Sequence, residues 1–362
     1  MIARDDRRRP RIERLIGLGR RIADASDPLG IEARERLLGT SGLSLEGIEL
    51  ALTRHLETNP SDTEIEALLA SGARPSGELA PRCHIVIAAN VCTSALRALA
   101  VALAVSPSLL VRPSSRDPVL AEMLARELSR DERFGEAGGS IAITPDVDAS
   151  PGDELHIYGS DRTVETLRAA ARPGVHIRGH GTGFGLAVIG EGIDAQAAAR
   201  DLAQDVIPFD QRGCLSPRIA LVEGGPDRAA AIFDAIHTEL SRTPIPRGPL
   251  DEATQAELAI YRASIEAVGE WREGSSHAVG FDPSPRSLPL PPAARVVHIA
   301  PVTEGLLDPL LLPWAQFIAA VGMAGSGFSI QSVSDLAPNA RRSGLGQMQR
   351  PPLDGPVDKR SR

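Results

Sequence analysis

The stretch His84-Ile85-Val86-Ile87-Ala88-Ala89-Asn90 marks the point where a polar, helical pattern gives way to short apolar runs. A run of this length that ends at a polar residue is typical of a strand buried on both faces. Helix patterns follow over 94–105 and 118–128, with a strand pattern at 109–111 between them. Buried strands that alternate with helices of this length predict right-handed β-α-β units and a mainly parallel sheet.

The same alternation continues towards the C-terminus. Strand patterns lie at 141–143, 155–158, 175–177, 186–189, 219–222 and 296–299, and helix patterns at 163–171, 195–206, 226–241, 251–270 and 313–321. From Pro338 onward the chain is basic and rich in Gly and Pro, which predicts an irregular tail. Residues 1–80 have helical periodicity, with Ser61 or Asp62 as a helix cap.

Length and composition exclude several classes of protein. A chain of 362 residues with 42% hydrophobic residues suggests about two domains and a sizeable core. The formal net charge of -8 argues against nucleic acid as a partner. Lys359 is the only lysine among the 39 basic residues. A P-loop, a pyridoxal-phosphate enzyme, a Schiff-base aldolase and a Tyr/Lys reductase all need a lysine at the reaction centre, so these classes are excluded.

Cysteine use and hydropathy point to a reducing compartment. The three cysteines, Cys83, Cys92 and Cys214, stand at no metal-ligating spacing. We therefore expect a cytoplasmic protein without a disulfide framework and without a metal site. No apolar stretch reaches the roughly 18 residues that suggest a membrane-spanning helix, and we expect no membrane span and no secretory signal.

Two common motifs are missing from the chain. Gly17-Leu18-Gly19 has Ile22 where the third glycine of a dinucleotide fingerprint should stand. The alternating glycines of 179–185 have the wrong spacing for a phosphate turn that opens a helix. The sequence also lacks the Gly-x-Ser-x-Gly elbow of α/β-hydrolases.

Cys214 is the candidate nucleophile. A helix pattern precedes it, Gly213 stands directly before it, and a strand pattern follows. A thiol on a glycine-containing turn can face a cleft, where local dipoles or charges favour the reactive thiolate. A buried, inert cysteine is the alternative interpretation.

The segment Phe209-Asp210-Gln211-Arg212-Gly213-Cys214-Leu215-Ser216-Pro217 resembles the nucleophile segment of the acyl-CoA reductases typified by the fatty-acid reductase of bacterial luminescence. That family belongs to the aldehyde dehydrogenase superfamily. The resemblance covers roughly residues 40–350. It rests on five segments that occur in the family's order, and together they are more specific than any one of them. Four further segments resemble the family in the same order: Gly42-Leu43-Ser44-Leu45-Glu46-Gly47, Ala88-Ala89-Asn90-Val91, Val111-Arg112-Pro113-Ser114-Ser115-Arg116-Asp117-Pro118 and Tyr158-Gly159-Ser160-Asp161.

The resemblance implies a role for each matching residue. Cys214 is the expected nucleophile, and Asn90 the expected side-chain donor to the oxyanion, unless Asn90 only caps the following helix. Arg112 replaces a superfamily lysine near the adenine ribose, where a guanidinium would favour NADP(H), with NAD(H) as the alternative. The alternative is that Arg112 simply replaces the superfamily lysine in a lysine-poor protein and indicates no cofactor preference. The implied cofactor-binding residues are Arg112, Ser114, Gly159 and Ser160.

The chain departs from the family at three points. The hydrolytic members of the superfamily carry a Glu base where this chain has Ile177-Arg178-Gly179-His180-Gly181. His180 is the candidate for proton transfer because imidazole titrates near neutral pH, and a structural histidine is the alternative. Cys92 stands where many relatives have proline, and the chain is shorter than the resemblance leads us to expect. These departures leave open that the chain is a specialised or a degenerate member of the family.

The resemblance implies an aldehyde dehydrogenase-like α/β fold. Its expected parts are a helical region over 1–80, a Rossmann-type nucleotide-binding domain over 81–190, a second α/β catalytic domain over 191–300 and a return segment and tail over 301–362. The implied activity is NADPH-dependent reduction of an acyl-CoA, of the fatty acyl kind, to an aldehyde through an acyl-cysteine. The alternatives are a reductase of acyl-carrier-protein thioesters or acyl phosphates, and a non-catalytic scaffold. The implied partners are the acyl thioester and either a second copy of the chain or an acyl-transfer enzyme.

Overall fold

The computed structural model describes residues 7–74 and 77–360, and these form two compact units. The first unit runs to Thr182 and includes the segment Pro352–Pro356. The second unit covers Gly183–Pro351 and includes the segment Val357–Arg360. The strand pattern at 186–189, which the sequence interpretation places in the nucleotide-binding domain, lies in the second unit.

The first unit is a five-stranded sheet with helices around it. Its strands are β1 Cys83–Val86, β2 Ser108–Arg112, β3 Ser140–Ile143, β4 Glu154–Tyr158 and β5 His176–His180. Its helices are α1 Arg8–Ala23, α2 Pro28–Thr40, α3 Leu45–Arg54, α4 Asp62–Ser71, α5 Ser94–Val105, α6 Val119–Arg130, α7 Glu132–Glu136 and α8 Asp161–Ala170. Helices α1 to α4 occupy the region whose periodicity predicts helix.

The strands of this sheet lie in the order β3-β2-β1-β4-β5, and every neighbouring pair is parallel. The chain winds outward from β1 to β3, crosses back to β4 beside β1, and then reaches β5. This is a doubly wound sheet with its topological switch between β1 and β4. In such sheets, ligands bind at the carboxyl ends of the strands next to the switch.

The expected helix cap at Ser61 is confirmed. Ser61 Oγ accepts a hydrogen bond from Glu64 N at 3.3 Å, and Glu64 Oε2 accepts one from Ser61 N at 2.5 Å. This reciprocal capping box satisfies two backbone donors at the start of α4. A short polar motif thus fixes where α4 begins.

The second unit is a seven-stranded sheet. Its strands are β6 Phe184–Ile189, β7 Pro217–Glu223, β8 Glu270–Glu273, β9 Ala278–Phe281, β10 Val296–Val302, β11 Ile318–Ala324 and β12 Arg341–Gly344. Its helices are α9 Ala195–Val206, α10 Gly225–Ser241, α11 Glu252–Glu266, α12 Glu304–Leu311 and α13 Phe328–Leu336. The strand order is β12-β11-β6-β7-β10-β9-β8, and β8 with β9 is the antiparallel pair.

Each face of this sheet is covered by aliphatic side chains. On one face, Leu202 of α9 and Ile232 of α10 pack against Val222 and neighbouring strand residues. On the other face, Leu307 of α12 and Val333 of α13 belong to the apolar cluster. Nonpolar surface removed from water on both faces is the main favourable term for this layered arrangement. Among the described residues, no helix is both long and apolar enough to cross a lipid bilayer.

Two secondary-structure predictions are wrong. The helix expected over 313–321 is a short 3₁₀ turn, Ala315–Phe317, followed by β11. Periodicity cannot separate helix from strand in the apolar run Ile318–Ala324, because both of its faces are largely buried. The tail expected to be irregular supplies β12, a polar strand of four residues at the edge of the sheet, where charged side chains are tolerated.

Arg97 of α5 holds the segment Pro352–Pro356 in the first unit. Its guanidinium pairs with Glu57 at 2.6 Å and donates hydrogen bonds to the carbonyl oxygens of Gly355 at 2.7 Å and Pro352 at 2.9 Å. Arg97 is buried, so its charge requires these partners. One side chain therefore fixes a segment that lies more than 250 residues away along the chain.

We expect Arg97→Met to lower the free energy of unfolding by about 3 kcal/mol, because Glu57 loses its ion pair and two carbonyls lose a charged donor. The control is Arg130→Met, since the Arg130 side chain is exposed. That variant should stay within about 0.5 kcal/mol of the parent. Urea unfolding followed by circular dichroism measures both, and equal effects would contradict the anchoring role of Arg97.

Candidate active site

Six of the predicted site residues follow the carboxyl ends of strands in the first unit. Because all five strands are parallel, these ends share one edge of the sheet. Asn90 follows β1, Arg112 ends β2, and His180 ends β5. Beyond these, Ser114 follows β2, while Gly159 and Ser160 follow β4. The topology therefore brings these residues to one edge, whereas Cys214 belongs to the second unit.

Asn90 is exposed and its side chain makes no hydrogen bond within the described chain. The N-cap of α5 is Thr93, three residues further on. The alternative interpretation of Asn90 as a helix cap is therefore wrong. Its amide has no competing structural partner and remains available to a ligand.

Arg112 and Ser114 differ in how they are held. The guanidinium of Arg112 is exposed and has no ion pair with any described residue. Its carbonyl accepts a hydrogen bond from Ile87 N at 3.0 Å, which joins the ends of β1 and β2. Ser114 Oγ accepts a hydrogen bond from Arg116 N at 3.2 Å and shapes the turn that follows. A free cation and an ordered turn therefore lie at this edge.

The Gly159-Ser160 turn leads from β4 into α8. Gly159 N donates to the carbonyl of His180 at 3.1 Å, and a Cβ at Gly159 would lie 3.3 Å from Thr163. Ser160 is the N-cap of α8, with Thr163 N donating to its Oγ at 3.2 Å. The first turn of a helix presents backbone N–H groups, which favour phosphate oxygens.

His180 packs against Tyr158 at the ends of β5 and β4. The two rings are stacked, with centroids 4.8 Å apart and planes 12° from parallel. Burial raises the pKa of the Tyr158 hydroxyl, so the phenol is neutral at physiological pH. The stack holds the plane of the imidazole, and proton transfer by His180 stays a prediction beside its alternative, a structural histidine.

These residues fit a nicotinamide dinucleotide at the switch between β1 and β4. The N-terminus of α8 offers N–H donors for a pyrophosphate, and Arg112 offers an unpaired guanidinium for a ribose phosphate. The carboxylate of Asp161 is directed elsewhere, since its Oδ1 accepts a hydrogen bond from Thr182 N at 3.0 Å. No cluster of three or more potential metal-ligating side chains occurs within residues 7–74 and 77–360.

Cys214 lies on a tight turn of unusual backbone conformation in the second unit. Phe209, Asp210 and Gln211 have φ values of 55°, 51° and 64°. Left-handed backbone costs an L-residue about 1–2 kcal/mol, so three in succession need strong tertiary support. The turn then passes through Gly213 to Cys214, which is partly buried, and continues into β7.

Gln211 supplies part of that support. Its Nε2 donates to the carbonyl oxygens of Pro217 at 2.7 Å and Val296 at 2.8 Å, and its Oε1 accepts from Val296 N at 2.8 Å. The side chain is completely buried. One amide thus connects the turn to β7 and β10 and satisfies three backbone groups.

Asp210 supplies the rest of the support. Its Oδ1 lies 2.8 Å from Arg295 Nη2, and its Oδ2 accepts a hydrogen bond from Gly248 N at 3.0 Å. Arg295 itself has a φ of 57° and donates to the carbonyl of Ile245 at 2.6 Å. Both charged groups are buried, so each needs the other.

Sequence reasoning gave no role to Asp210, Gln211 or Arg295. The polar pair Asp210-Gln211 follows an apolar Phe in a segment that precedes a strand, and this is a weak local signal. Arg295 lies 85 residues beyond Asp210, and nothing in its local sequence indicates the pairing. These residues do not touch a reacting atom, and they act by fixing the backbone that carries Cys214.

The thiol of Cys214 is protonated at neutral pH in this environment. Burial and then the charge of Asp358 raise its pKa to about 11, against the opposing effects of Arg360, its own backbone N–H and Arg341. The thiolate, which is the nucleophilic form, is therefore a minor species until the environment of the sulfur changes.

A family model for acyl-CoA reductase (LuxC) matches residues 78–350. Together, the fold and this match mark the protein as an oxidoreductase that acts on aldehydes or acyl groups. The match covers more than half of the chain, and the chain belongs to the acyl-CoA reductase (LuxC) family. The comparison with curated proteins found no match.

Solved structures confirm the aldehyde dehydrogenase-like fold. An aldehyde dehydrogenase of Mycobacterium tuberculosis in complex with NAD+ has a TM-score of 0.63 and 17% identity, with 93% of this chain and 77% of that chain covered. Succinic semialdehyde dehydrogenase of Streptococcus pyogenes with NADP+ has a TM-score of 0.64 and 14% identity, covering 92% and 82%. A propionaldehyde dehydrogenase of Clostridium phytofermentans has a TM-score of 0.63 and 11% identity, covering 95% and 84%.

We expect Asp210→Ala to lower the free energy of unfolding by about 3–5 kcal/mol, because Arg295 is left charged and unpaired in the interior. Asp210→Ala combined with Arg295→Met should cost less than Asp210→Ala alone, since the second substitution removes the stranded charge. Arg286→Met is the matched control, because Arg286 is exposed. Calorimetry measures the free energy of unfolding of each variant. If the loss in the double variant equals the sum of the losses in the two single variants, the coupling between Asp210 and Arg295 is contradicted.

Proposed function

We propose that the protein reduces an acyl-CoA thioester to an aldehyde, with Cys214 as the acyl acceptor and NADPH as the reductant. The observation that carries the proposal is the turn 209–214, whose left-handed backbone is fixed by buried polar side chains in front of a single partly buried thiol. Strained backbone of this kind is concentrated at functional sites, where it fixes the direction of a reacting group. Membership of the acyl-CoA reductase family supports the same reaction.

Acyl transfer to Cys214 is a thioester exchange. The Cys214 sulfur attacks the carbonyl carbon, the bond from carbon to the coenzyme A sulfur breaks, and the thiol proton leaves with coenzyme A. The oxyanion formed on the way needs donors, and we assign that role to the side-chain amide of Asn90 and the backbone N–H of Cys214. The unpaired, exposed amide of Asn90 supports this assignment.

The edge of the first unit's sheet holds the cofactor in this proposal. Ser160 and the first turn of α8 bind the pyrophosphate, next to Gly159, while Arg112 pairs with a 2′-phosphate and Ser114 orders the loop beside it. A bound nicotinamide dinucleotide supplies hydride to the acyl group. The unpaired guanidinium of Arg112 supports NADPH over NADH.

Water is a poor competitor for the acyl-cysteine in this proposal. The segment that corresponds to the hydrolytic base, Ile177-Arg178-Gly179-His180-Gly181, has no carboxylate. The Nε of Arg178 in this segment lies 3.1 Å from Glu154 Oε2, and its guanidinium cannot abstract a proton. His180 is held in its stack with Tyr158, and proton abstraction by this imidazole is the alternative to the present proposal. The acyl group therefore remains on the sulfur until hydride or a thiol arrives.

We expect acyl-CoA without reduced cofactor to add one acyl group to Cys214, visible by intact mass as a hydroxylamine-sensitive thioester. Cys214→Ala should neither label nor reduce, because no other thiol lies on the turn. Cys92→Ala is the matched control and should label as the parent does. Full turnover by Cys214→Ala would overturn the proposal, and labelling by an acyl phosphate or carrier-protein thioester but not by acyl-CoA would assign a different donor.

A further inference from the structure

The segment Val357–Arg360 is folded into the second unit beside the turn that carries Cys214. Val357 and Cys214 pack against the same apolar cluster, which includes Ala320, Leu345 and Met348. Arg341 of β12 donates a hydrogen bond from Nε to the carbonyl of Val357 at 3.1 Å. The segment is therefore an integral part of this unit.

Two charged side chains of the segment are buried and paired with each other. Arg360 Nε lies 2.8 Å from Asp358 Oδ1, and Arg360 Nη2 lies 2.8 Å from Asp358 Oδ2. Arg360 Nη1 also donates to the carbonyl of Gln316 at 2.8 Å. A bidentate pair with a further backbone contact has a fixed geometry, so its charges act in a defined direction.

The alternating glycines locate this ion pair next to the Cys214 turn. A Cβ at Gly183 would overlap the guanidinium of Arg360, and a Cβ at Gly185 would overlap the backbone of Leu215, which follows Cys214. Residues two apart in extended chain point to the same side. The Arg360 guanidinium and the Cys214 turn therefore approach the same side of the chain, the first at Gly183 and the second at Gly185. Both positions require glycine, because a Cβ would block the approach.

We propose that the Asp358–Arg360 ion pair belongs to the active centre and sets the protonation state of Cys214. The carboxylate opposes formation of the thiolate and the guanidinium favours it, in agreement with their opposite effects on the Cys214 pKa. Arg341 is the other cation that acts on the thiol, and Arg212, within the turn itself, is engaged with Asp210 at 3.4 Å. The ion pair acts through the thiol and does not itself touch the reacting acyl group. Its relevance to turnover therefore rests on the proposed function.

The test is the rate at which iodoacetamide alkylates Cys214 between pH 7.5 and 9.5, in a background where Cys83 and Cys92 are replaced by Ala. No acyl-CoA or cofactor is present, so the result is independent of the acyl-labelling experiment. A pKa lowered by one unit raises the thiolate fraction about tenfold, and the weaker nucleophile reduces the gain to about threefold. We therefore expect Asp358→Asn to react about threefold faster and Arg360→Gln about threefold slower at each pH.

The expected changes in alkylation rate are opposite for Asp358→Asn and Arg360→Gln. This distinguishes control of thiol protonation from a loosening of the segment Val357–Arg360. Loosening would expose the thiol and make both variants faster. Gly183→Ala should resemble Arg360→Gln, because the added methyl displaces the guanidinium. The controls are Arg342→Gln, on the exposed neighbour of Arg341, and Gly305→Ala, where the added Cβ meets open space. Equal rates for folded Asp358→Asn, Arg360→Gln and the parent, or changes of the same sign, would overturn the proposal.

Discussion

The three hydrogen bonds of the Gln211 amide are the interaction on which the candidate site depends. They join the turn before Cys214 to the start of β7 and to β10, two adjacent strands at the centre of the second sheet. The turn cannot relax to right-handed backbone without losing all three, and buried backbone groups would then lack partners. The Asp210–Arg295 pair adds a second link, to a residue that is itself left-handed. Strain in the turn and support from the sheet are thus of the same order, a few kcal/mol.

A turn fixed in this way has a consequence for chemistry. The direction of the Cys214 sulfur follows from the fold of the second unit, whereas its pKa is raised first by burial and then by Asp358 of the C-terminal segment, with Arg360 opposing. Orientation and ionisation are therefore controlled by different parts of the chain. In the first unit, the side chains of Asn90 and Arg112 have no hydrogen-bond or ion-pair partner within residues 7–74 and 77–360, and Ser160 caps α8.

Local sequence predicts the parts of this structure that depend on local physics. The apolar run at 84–89 and its successors alternate with helix patterns, which predicts buried strands of a parallel sheet, and the capping box at Ser61 is a complete signal within four residues. The sequence prediction of Cys214 as the nucleophile rests on its flanking segment and stays a prediction. The strands β11 and β12 are not predictable from local sequence, because an apolar run is ambiguous and a polar edge strand takes its conformation from its neighbour. The pairs Asp210–Arg295 and Asp358–Arg360 escape sequence reasoning for another reason: whether a charge is buried is decided by tertiary structure alone.

In the proposed function, the turn 209–214 presents the Cys214 thiol for acyl exchange and not for hydrolysis. The most direct test supplies a long-chain aldehyde and NADP+, so that the reaction runs in reverse, and measures acyl-CoA and free carboxylic acid separately. We expect acyl-CoA as the product, formed only when free coenzyme A is added, because the segment 177–181 has no carboxylate base and Arg178 cannot act as a base towards water. Rapid formation of free acid at neutral pH without coenzyme A, abolished by His180→Ala, would contradict it.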